Sequence, residues 1–247
     1  MKPGAQPANL AHRTWTSLPH RPVVLVPLGS IEQHGPHLPL DTDTTVATAV
    51  AEGAARRLAG TGPADRILLA PPIVYAASGE HQSFPGTMSI GNEALRFMLV
   101  ELVRSLSLWS GRVVFVNGHG GNLACLTGAV GQLVDEGHDV GWVACVPEGG
   151  DAHAGRCETS LMLHLAPERV DMLRAEPGNP APLAELLPTI IAGGVAAVSP
   201  SGVLGDPTGA TAQEGARLLD ALVADAAERI GGSPDARGRL SRAGARA

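Results

Sequence analysis

Aromatic residues are scarce in this chain, with three Phe, three Trp and one Tyr among 247 residues. Gly (31) and Pro (20) are plentiful instead, which argues for short elements joined by many tight turns. Cysteine is nearly missing too. Cys125, Cys145 and Cys157 are few and odd in number, which excludes a disulfide framework and points to a reducing, cytoplasmic setting. No apolar run approaches the roughly 20 residues a membrane span needs. The opening MKPGAQPANLAHRTW lacks the apolar centre of a signal peptide. Positive charge is also in short supply. A net charge of -6 gives no reason to expect nucleic acid or an anionic membrane surface as partner.

What is present suffices for a core: 44% of residues are hydrophobic and 17% charged. The length suits one domain. The expected organisation is an N-terminal arm over 1–20, a single domain over 21–231 and a flexible tail over 232–247. Unbroken apolar runs at 23–27, 67–71, 112–116 and 140–146 read as strands buried on both faces. Helical periodicity marks 44–58, 93–109, 123–136, 158–165 and 211–230, with Asp43 or Thr44 available to cap the first. Residues 76–92 read as a long polar loop, and 166–208 show no clear pattern. Strands alternating with helices imply a mainly parallel sheet with right-handed crossovers, and ligands collect beyond the carboxyl ends of such strands.

Three polar islands fall where that rule places a site. The first, GSIEQHGPHLPLDTDT (29–44), follows the first strand. In extended backbone Glu32 and His34 project to one side, with Gln33 pointing away. The pair fits a solvated turn or a metal ligand pair. Asp41 and Asp43 repeat the spacing where a helix begins, so they fit caps or ligands. His37 is a weaker alternative ligand beyond Pro36. Carboxylates and imidazoles together suit Zn²⁺, Mn²⁺ or Fe²⁺.

The second island, NGHGGN (117–122), puts His119 among glycines at a strand end, with neither the Lys of a Walker loop nor a dinucleotide fingerprint. The third, DAHAGRCETS (151–160), carries His153 and Glu158. Leu161, Met162 and Leu165 follow Glu158 at helical spacing. The carboxylate therefore lies on an inward face, where it needs a partner or a metal, or it serves the helix start. His153 fits a proton shuttle or a loop histidine. Cys125 reads as core, and Cys157, next to Glu158, is at most a spare ligand. Ser78, Glu80 and His81 can line a pocket or a surface.

Across these islands, with SGEH…FPGT (78–87) and GVLGDPTGAT (202–211), the chain resembles the creatininase family of amidohydrolases over nearly all of 22–230. The resemblance implies a three-layer α/β/α sandwich around a mainly parallel sheet. It implies two divalent metal ions, zinc with iron or manganese, or two zincs. Glu32, Asp43 and His119 would hold one, and His34, Asp43 and Glu158 the other. His153 would be catalytic alongside Glu158, with Ser78, Glu80, His81 and Gly120 binding substrate.

Creatininases proper carry a Glu two residues after the motif histidine. Here that position is Gly121, which argues against creatinine as substrate and makes Glu158 the replacement carboxylate. One branch looks closest: peptidases that release a C-terminal Val-Tyr dipeptide from a small modified precursor peptide. The alternatives are a hydrolase of a small cyclic amide or formamide, such as a formamidopyrimidine-nucleotide deformylase, and a catalytically silent binding protein. A thiol hydrolase using Cys125, His119 and Asn122 is a further rival. The family also implies a peptide or small amide as partner and a homo-oligomer, hexamer or octamer.

Overall fold

The computed structural model describes residues 8–59, 66–147 and 149–242. Five parallel strands form one sheet in the order β1-β3-β2-β4-β5. They are β1 (Ala8–Asn9), β2 (Val23–Leu28), β3 (Ile67–Leu69), β4 (Arg112–Asn117) and β5 (Val140–Ala144). The helices are α1 (Thr42–Ala59), α2 (Gly91–Leu106), α3 (Leu123–Asp135), α4 (Arg156–Leu165), α5 (Leu183–Gly193) and α6 (Ala212–Ile230).

The two-residue period of the strands builds the layers. Val24, Val26, Leu28, Val113 and Phe115 face α2 and α3, where they meet Leu95, Leu99, Leu126 and Leu133. Leu25, Val114, Val116 and Val143 face the opposite way, onto Val46 and Val50 of α1, Leu161 of α4 and Leu222 and Ile230 of α6. Both faces are covered, which is why the central strands read as unbroken apolar runs. Each fully buried side chain of this kind contributes about 1.5–3 kcal/mol. The result is the expected three-layer sandwich.

Strand order locates the site. From β2 the chain crosses to β3 on one side, whereas from β4 it crosses to β5 on the other. The loops after β2 and β4 therefore part company, and the crevice between them is the switch point of the sheet.

One expectation is corrected, and two further stretches gain structure that the pattern did not show. The first helix begins at Thr42, so Asp43 and Thr44 lie inside its first turn rather than capping it. Thr44 Oγ1 donates to the Ser30 carbonyl at 2.9 Å, tying that turn to the loop after β2. The unpatterned stretch 166–208 contains α5, whose Leu186 and Ile190 pack against Val195 and Leu204. Pro188 inside it and the Gly-rich flanks obscured its period.

In the tail, residues 234–240 turn back so that Arg239 bridges to Trp142 of β5. Leu240 is buried and its N–H donates to the Trp142 carbonyl at 2.9 Å, while the Trp142 N–H donates to the Gly238 carbonyl at 3.0 Å. The arm contributes β1, which pairs with β3. Residues 1–7 of the arm and 243–247 of the tail lie outside the described residues. Among the described residues, no helix is long and apolar enough to cross a membrane.

Candidate metal centre

Three segments carry the site, and buried hydrogen bonds lock them together. Asn122 Nδ2 donates to the Gly29 carbonyl at 3.0 Å and to Asn117 Oδ1 at 3.1 Å, while its Oδ1 accepts from Ala77 N at 3.1 Å. One side chain thus clamps the loop after β2, the loop after β3 and the end of β4. Asn117 Nδ2 in turn donates to the His119 carbonyl at 2.7 Å. The two asparagines of NGHGGN are scaffold, which sequence spacing did not reveal. Cys125 faces the core of α2 and α3 and its thiol donates to the Asn122 carbonyl, away from a role beside His119. Burial raises that thiol's pKa, which disfavours the thiolate a nucleophile needs.

Asp43 lies at the centre. Its Oδ1 is 3.1 Å from His34 Nε2, and its Oδ2 is 3.2 Å from His119 Nδ1. Ser30 Oγ donates to Oδ2 at 2.7 Å, a support the sequence analysis missed. On one side, Glu32 Oε2 is 3.1 Å from His119 Nε2. On the other, Glu158 Oε2 is 3.9 Å from His34 Nε2. Asp43 thus touches both His34 and His119, but it completes a three-residue ligand group on the His119 side only; beside His34 and Glu158 the third residue is His153. Glu32, Asp43 and His119 offer three ligand atoms within 4.8 Å of one another. His34, His153 and Glu158 do the same, as do Glu32, His81 and His153.

Other expected residues fall elsewhere. His37 Nε2 contacts Thr159 Oγ1 at 2.8 Å and joins no ligand group among the described residues. Asp41 pairs with Arg169 at the surface. The backbone N–H of Cys157 donates to Asp151, and the thiol joins no cation cluster among the described residues.

Three of the expected pocket residues, Ser78, Glu80 and His81, lie beside the same cluster. Ser78 is fully buried beside Glu32. Glu80 Oε1 is 3.4 Å from His119 Nε2, His81 Nε2 is 3.3 Å from Glu32 Oε1, and Gly120 is exposed at the rim. His153 is held from behind, where it exchanges backbone bonds with Leu204. Ala154 has φ of 51, a left-handed conformation that costs a non-glycine residue of order 1 kcal/mol. That turn aims the Ala154 N–H at Glu158 Oε2, 2.6 Å away. Gln33 does not point away from the site: its carboxamide contacts both His81 and His153.

Electrostatics follow from burying so many ionisable groups. Burial pushes the Glu32 carboxyl up to about 7, against the pull of His119. Burial also lifts Glu158 to about 7. Burial opposes the His34 cation, yet Asp43 and then Glu158 raise it to about 10. Burial opposes His119 as well, but Glu32 and Asp43 hold it well above its ordinary value. Asp43 stays well below the usual carboxylate range despite its burial, because His34 and His119 flank it. His81 falls to about 3 and His153 falls well below normal, chiefly through burial and then through cationic neighbours.

The site fits a cation. Both Glu32 oxygens are fully buried and neither makes a hydrogen bond of good geometry. A buried carboxylate in that state is costly unless a positive charge completes it. His34 Nδ1–H donates to the Glu32 carbonyl at 3.1 Å, which leaves Nε2 turned toward Asp43 and Glu158, as a ligating imidazole requires.

Comparison with known proteins agrees with this geometry. The profile of the family described as "Creatininase: Creatinine amidohydrolase" matches residues 11–230. A protein of Mycobacterium ulcerans (strain Agy99) named "Mycofactocin precursor peptide peptidase" is 60% identical over 225 residues, covering 90% of each chain. Among solved structures, a candidate creatinine amidohydrolase from Bacteroides fragilis NCTC 9343 superposes with a TM-score of 0.77 at 26% identity, covering 92% of this chain and 96% of that one. A creatininase described in its Mn form gives a TM-score of 0.71 at 25% identity, covering 90% and 97%.

Proposed function

This chain belongs to the creatininase family, and we propose that it is a divalent-metal-dependent peptidase acting on the mycofactocin precursor peptide. The scissile bond is a C–N amide near the C-terminus of that small modified peptide, and its cleavage releases a Val-Tyr dipeptide. One observation carries the chemistry: the Glu32 carboxylate, wholly buried, with both oxygens facing imidazoles at 3.1 and 3.3 Å and neither satisfied. The substrate class rests on 60% identity to the M. ulcerans relative, nearly end to end.

Glu32, Asp43 and His119 would hold one ion and His34, Asp43 and Glu158 the other, as zinc with iron or manganese, or as two zincs. Such ions supply Lewis acidity, lowering the pKa of a water to about 7 and drawing charge from a carbonyl oxygen. Asp43 keeps the two halves in register, and Ser30 keeps Asp43 in place. His153 stands over His34 with ring centroids 4.4 Å apart, its Nδ1 3.9 Å from Glu32 Oε1. From there it moves a proton to the leaving nitrogen. Glu158, steadied by the Ala154 N–H, neutralises charge on the same side. Ser78, Glu80, His81 and Gly120 line the approach and orient the peptide. The protein works in the cytoplasm as a homo-oligomer.

The test is direct. Purified protein loaded with Zn²⁺, Mn²⁺ or Fe²⁺ is given the modified precursor peptide or a formylated pyrimidine nucleotide, and products are read by mass spectrometry. Release of the dipeptide with the formamide untouched is expected. Deformylation with an intact peptide would move the protein to another branch, and a metal-free, inactive protein would favour a silent binding role.

A further inference from the structure

Asp151 opens the segment that carries His153 and Glu158, and among the described residues it belongs to no cation group. Its carboxylate turns along the chain instead. Oδ1 accepts the Cys157 N–H at 3.0 Å, and Oδ2 accepts the Arg156 N–H. These N–H groups open α4 and have no partner inside the helix. Gly155, which precedes the helix, has no side chain to offer them. Asp151 therefore caps α4 from farther upstream than the usual cap, which lies next to the helix.

The chain from Asp151 to Arg156 is thereby closed into a ring, and that ring carries groups of the centre. Ala154, at φ of 51, aims its N–H at Glu158 Oε2, 2.6 Å away. His153 forms an antiparallel bridge with Leu204, whose N–H donates to the His153 carbonyl at 2.8 Å. The Ala152 and His153 N–H groups donate to the Leu204 carbonyl at 3.2 and 3.3 Å. Beside that bridge, a Cβ on Gly205 would stand 2.7 Å from Asp151 Oδ2, and one on Gly155 would strike the same oxygen. The carboxylate thus fills a slot between the start of α4 and the segment that backs His153. A cap serving the helix alone would need no such slot, since a Ser, Thr, Asp or Asn at position 155 would cap it directly.

We propose that Asp151 is a positioning residue of the centre: it fastens the loop 152–155 to the first turn of α4 and so fixes His153 and Glu158 against each other. Its effect on turnover rests on the roles proposed for those two residues. The fastening itself does not, and it is measured without metal or substrate.

The experiment compares Asp151→Ala with Thr211→Ala, which removes the hydroxyl that caps α6 by accepting the Glu214 N–H at 3.1 Å. Both variants are expected to lose stability in chemical denaturation. Amide hydrogen exchange is then read by mass spectrometry on the metal-free full chain. In Asp151→Ala, exchange should quicken by about tenfold or more at Ala152, His153, Ala154 and Leu204 as well as at Arg156 and Cys157. Thr211→Ala should leave those positions unchanged. Quickening confined to Arg156 and Cys157 overturns the proposal, because a cap alone gives that pattern. With zinc bound and the modified precursor peptide as substrate, kcat of Asp151→Ala should fall about 10–100-fold at unchanged KM, the range for outer-shell support. An unaltered kcat overturns the proposal too. Should the native protein leave the peptide uncut, the peptidase reading fails, and the exchange pattern still decides for or against Asp151. Asp151→Asn keeps one acceptor and is expected to show the same pattern at smaller amplitude; it decides if Asp151→Ala does not fold.

Discussion

A Cβ built on Gly121 would stand 2.2 Å from Oε1 of Glu80, so the carboxylate of one occupies the space a side chain on the other would need. Glu80 comes from the single turn Gly79–His81, and its Oε1 is also 3.4 Å from His119 Nε2. The Glu that creatininases proper carry at this position is therefore not merely deleted here. Two carboxylates approach from elsewhere in the chain, Glu80 beside His119 and Glu158 beside His34.

Gly121→Ala tests that packing. The new methyl group also meets the Ala77 carbonyl oxygen at 2.5 Å, a main-chain atom that cannot swing aside. We expect a loss of about 1–3 kcal/mol in chemical denaturation and a sharp fall in turnover. Gly120→Ala is the control, since nothing lies within 4 Å of its Cβ. Equal stability in the two variants would show that Glu80 yields freely.

Asp43→Asn should remove metal and activity together. Asp43 faces His34 with one oxygen and His119 with the other, so neutralising it weakens both halves. Outer-shell changes alone cost about 10–100-fold in affinity or activity, and a shared carboxylate should exceed roughly 100-fold. Elemental analysis showing two ions retained at full activity would refute the shared role.

His153→Ala should leave metal content near normal and slow turnover by about 10²–10⁴-fold, the range for a displaced general acid or base. The five other ligand candidates remain in place. Loss of an ion instead would make His153 a ligand through its Nδ1.

Ion binding should strengthen as pH rises. His34 is raised to about 10 and His119 well above its ordinary value, so both are cationic at neutral pH before an ion enters. Ligation needs neutral imidazole, so binding expels those protons and is favoured by their scarcity. Calorimetry in buffers of different ionisation enthalpy should show proton release. Chelation should lower the melting temperature, since an ion that binds only the folded chain stabilises it. Affinity flat across pH 6–8 would contradict the protonated cluster.

His37 should make the fold sensitive to mild acid. Burial, and then the His34 charge, depresses it from 6.5 to about 4. Between those values the unfolded chain binds the extra proton, so stability rises with pH across that window and is lost as pH falls from 6.5 toward 4. Relative to His37→Asn, the native protein should lose on the order of 2 kcal/mol between pH 7 and pH 4. Parallel losses in the two proteins would show that His37 titrates as in the unfolded chain.

Much of this centre was legible in the sequence because its ligands follow strands. Apolar runs marked β2 and β4, and the polar residues just past them, Glu32, His34 and His119, had nowhere to go but the carboxyl edge. Glu158 was legible as an inward carboxylate from the apolar residues that follow it. Gln33, Ser30 and Asn122 were not, because amides and hydroxyls carry no pattern of their own. Their roles exist only through partners far along the chain, such as His153 for Gln33 and Ala77 for Asn122. The α5 helix was hidden by Pro188, and the tail by a small-residue composition that gave no sign of Leu240 sealing the edge of β5.

By itself the sequence narrowed the class of chemistry, since carboxylates and imidazoles past buried strands suit a cation, while a solvated turn or a helix cap stayed open for the same residues. It also determined the layered architecture, because periodicity reports which faces are buried. Only the tertiary structure decided which groups meet: that Asp43 stands between two histidines, that Glu80 fills the space beside Gly121, and that Gln33 turns onto His81 and His153. Periodicity records that a face is covered and never by what. The pairing of β2 with β4 is what brings distant loops within ligand distance of one another.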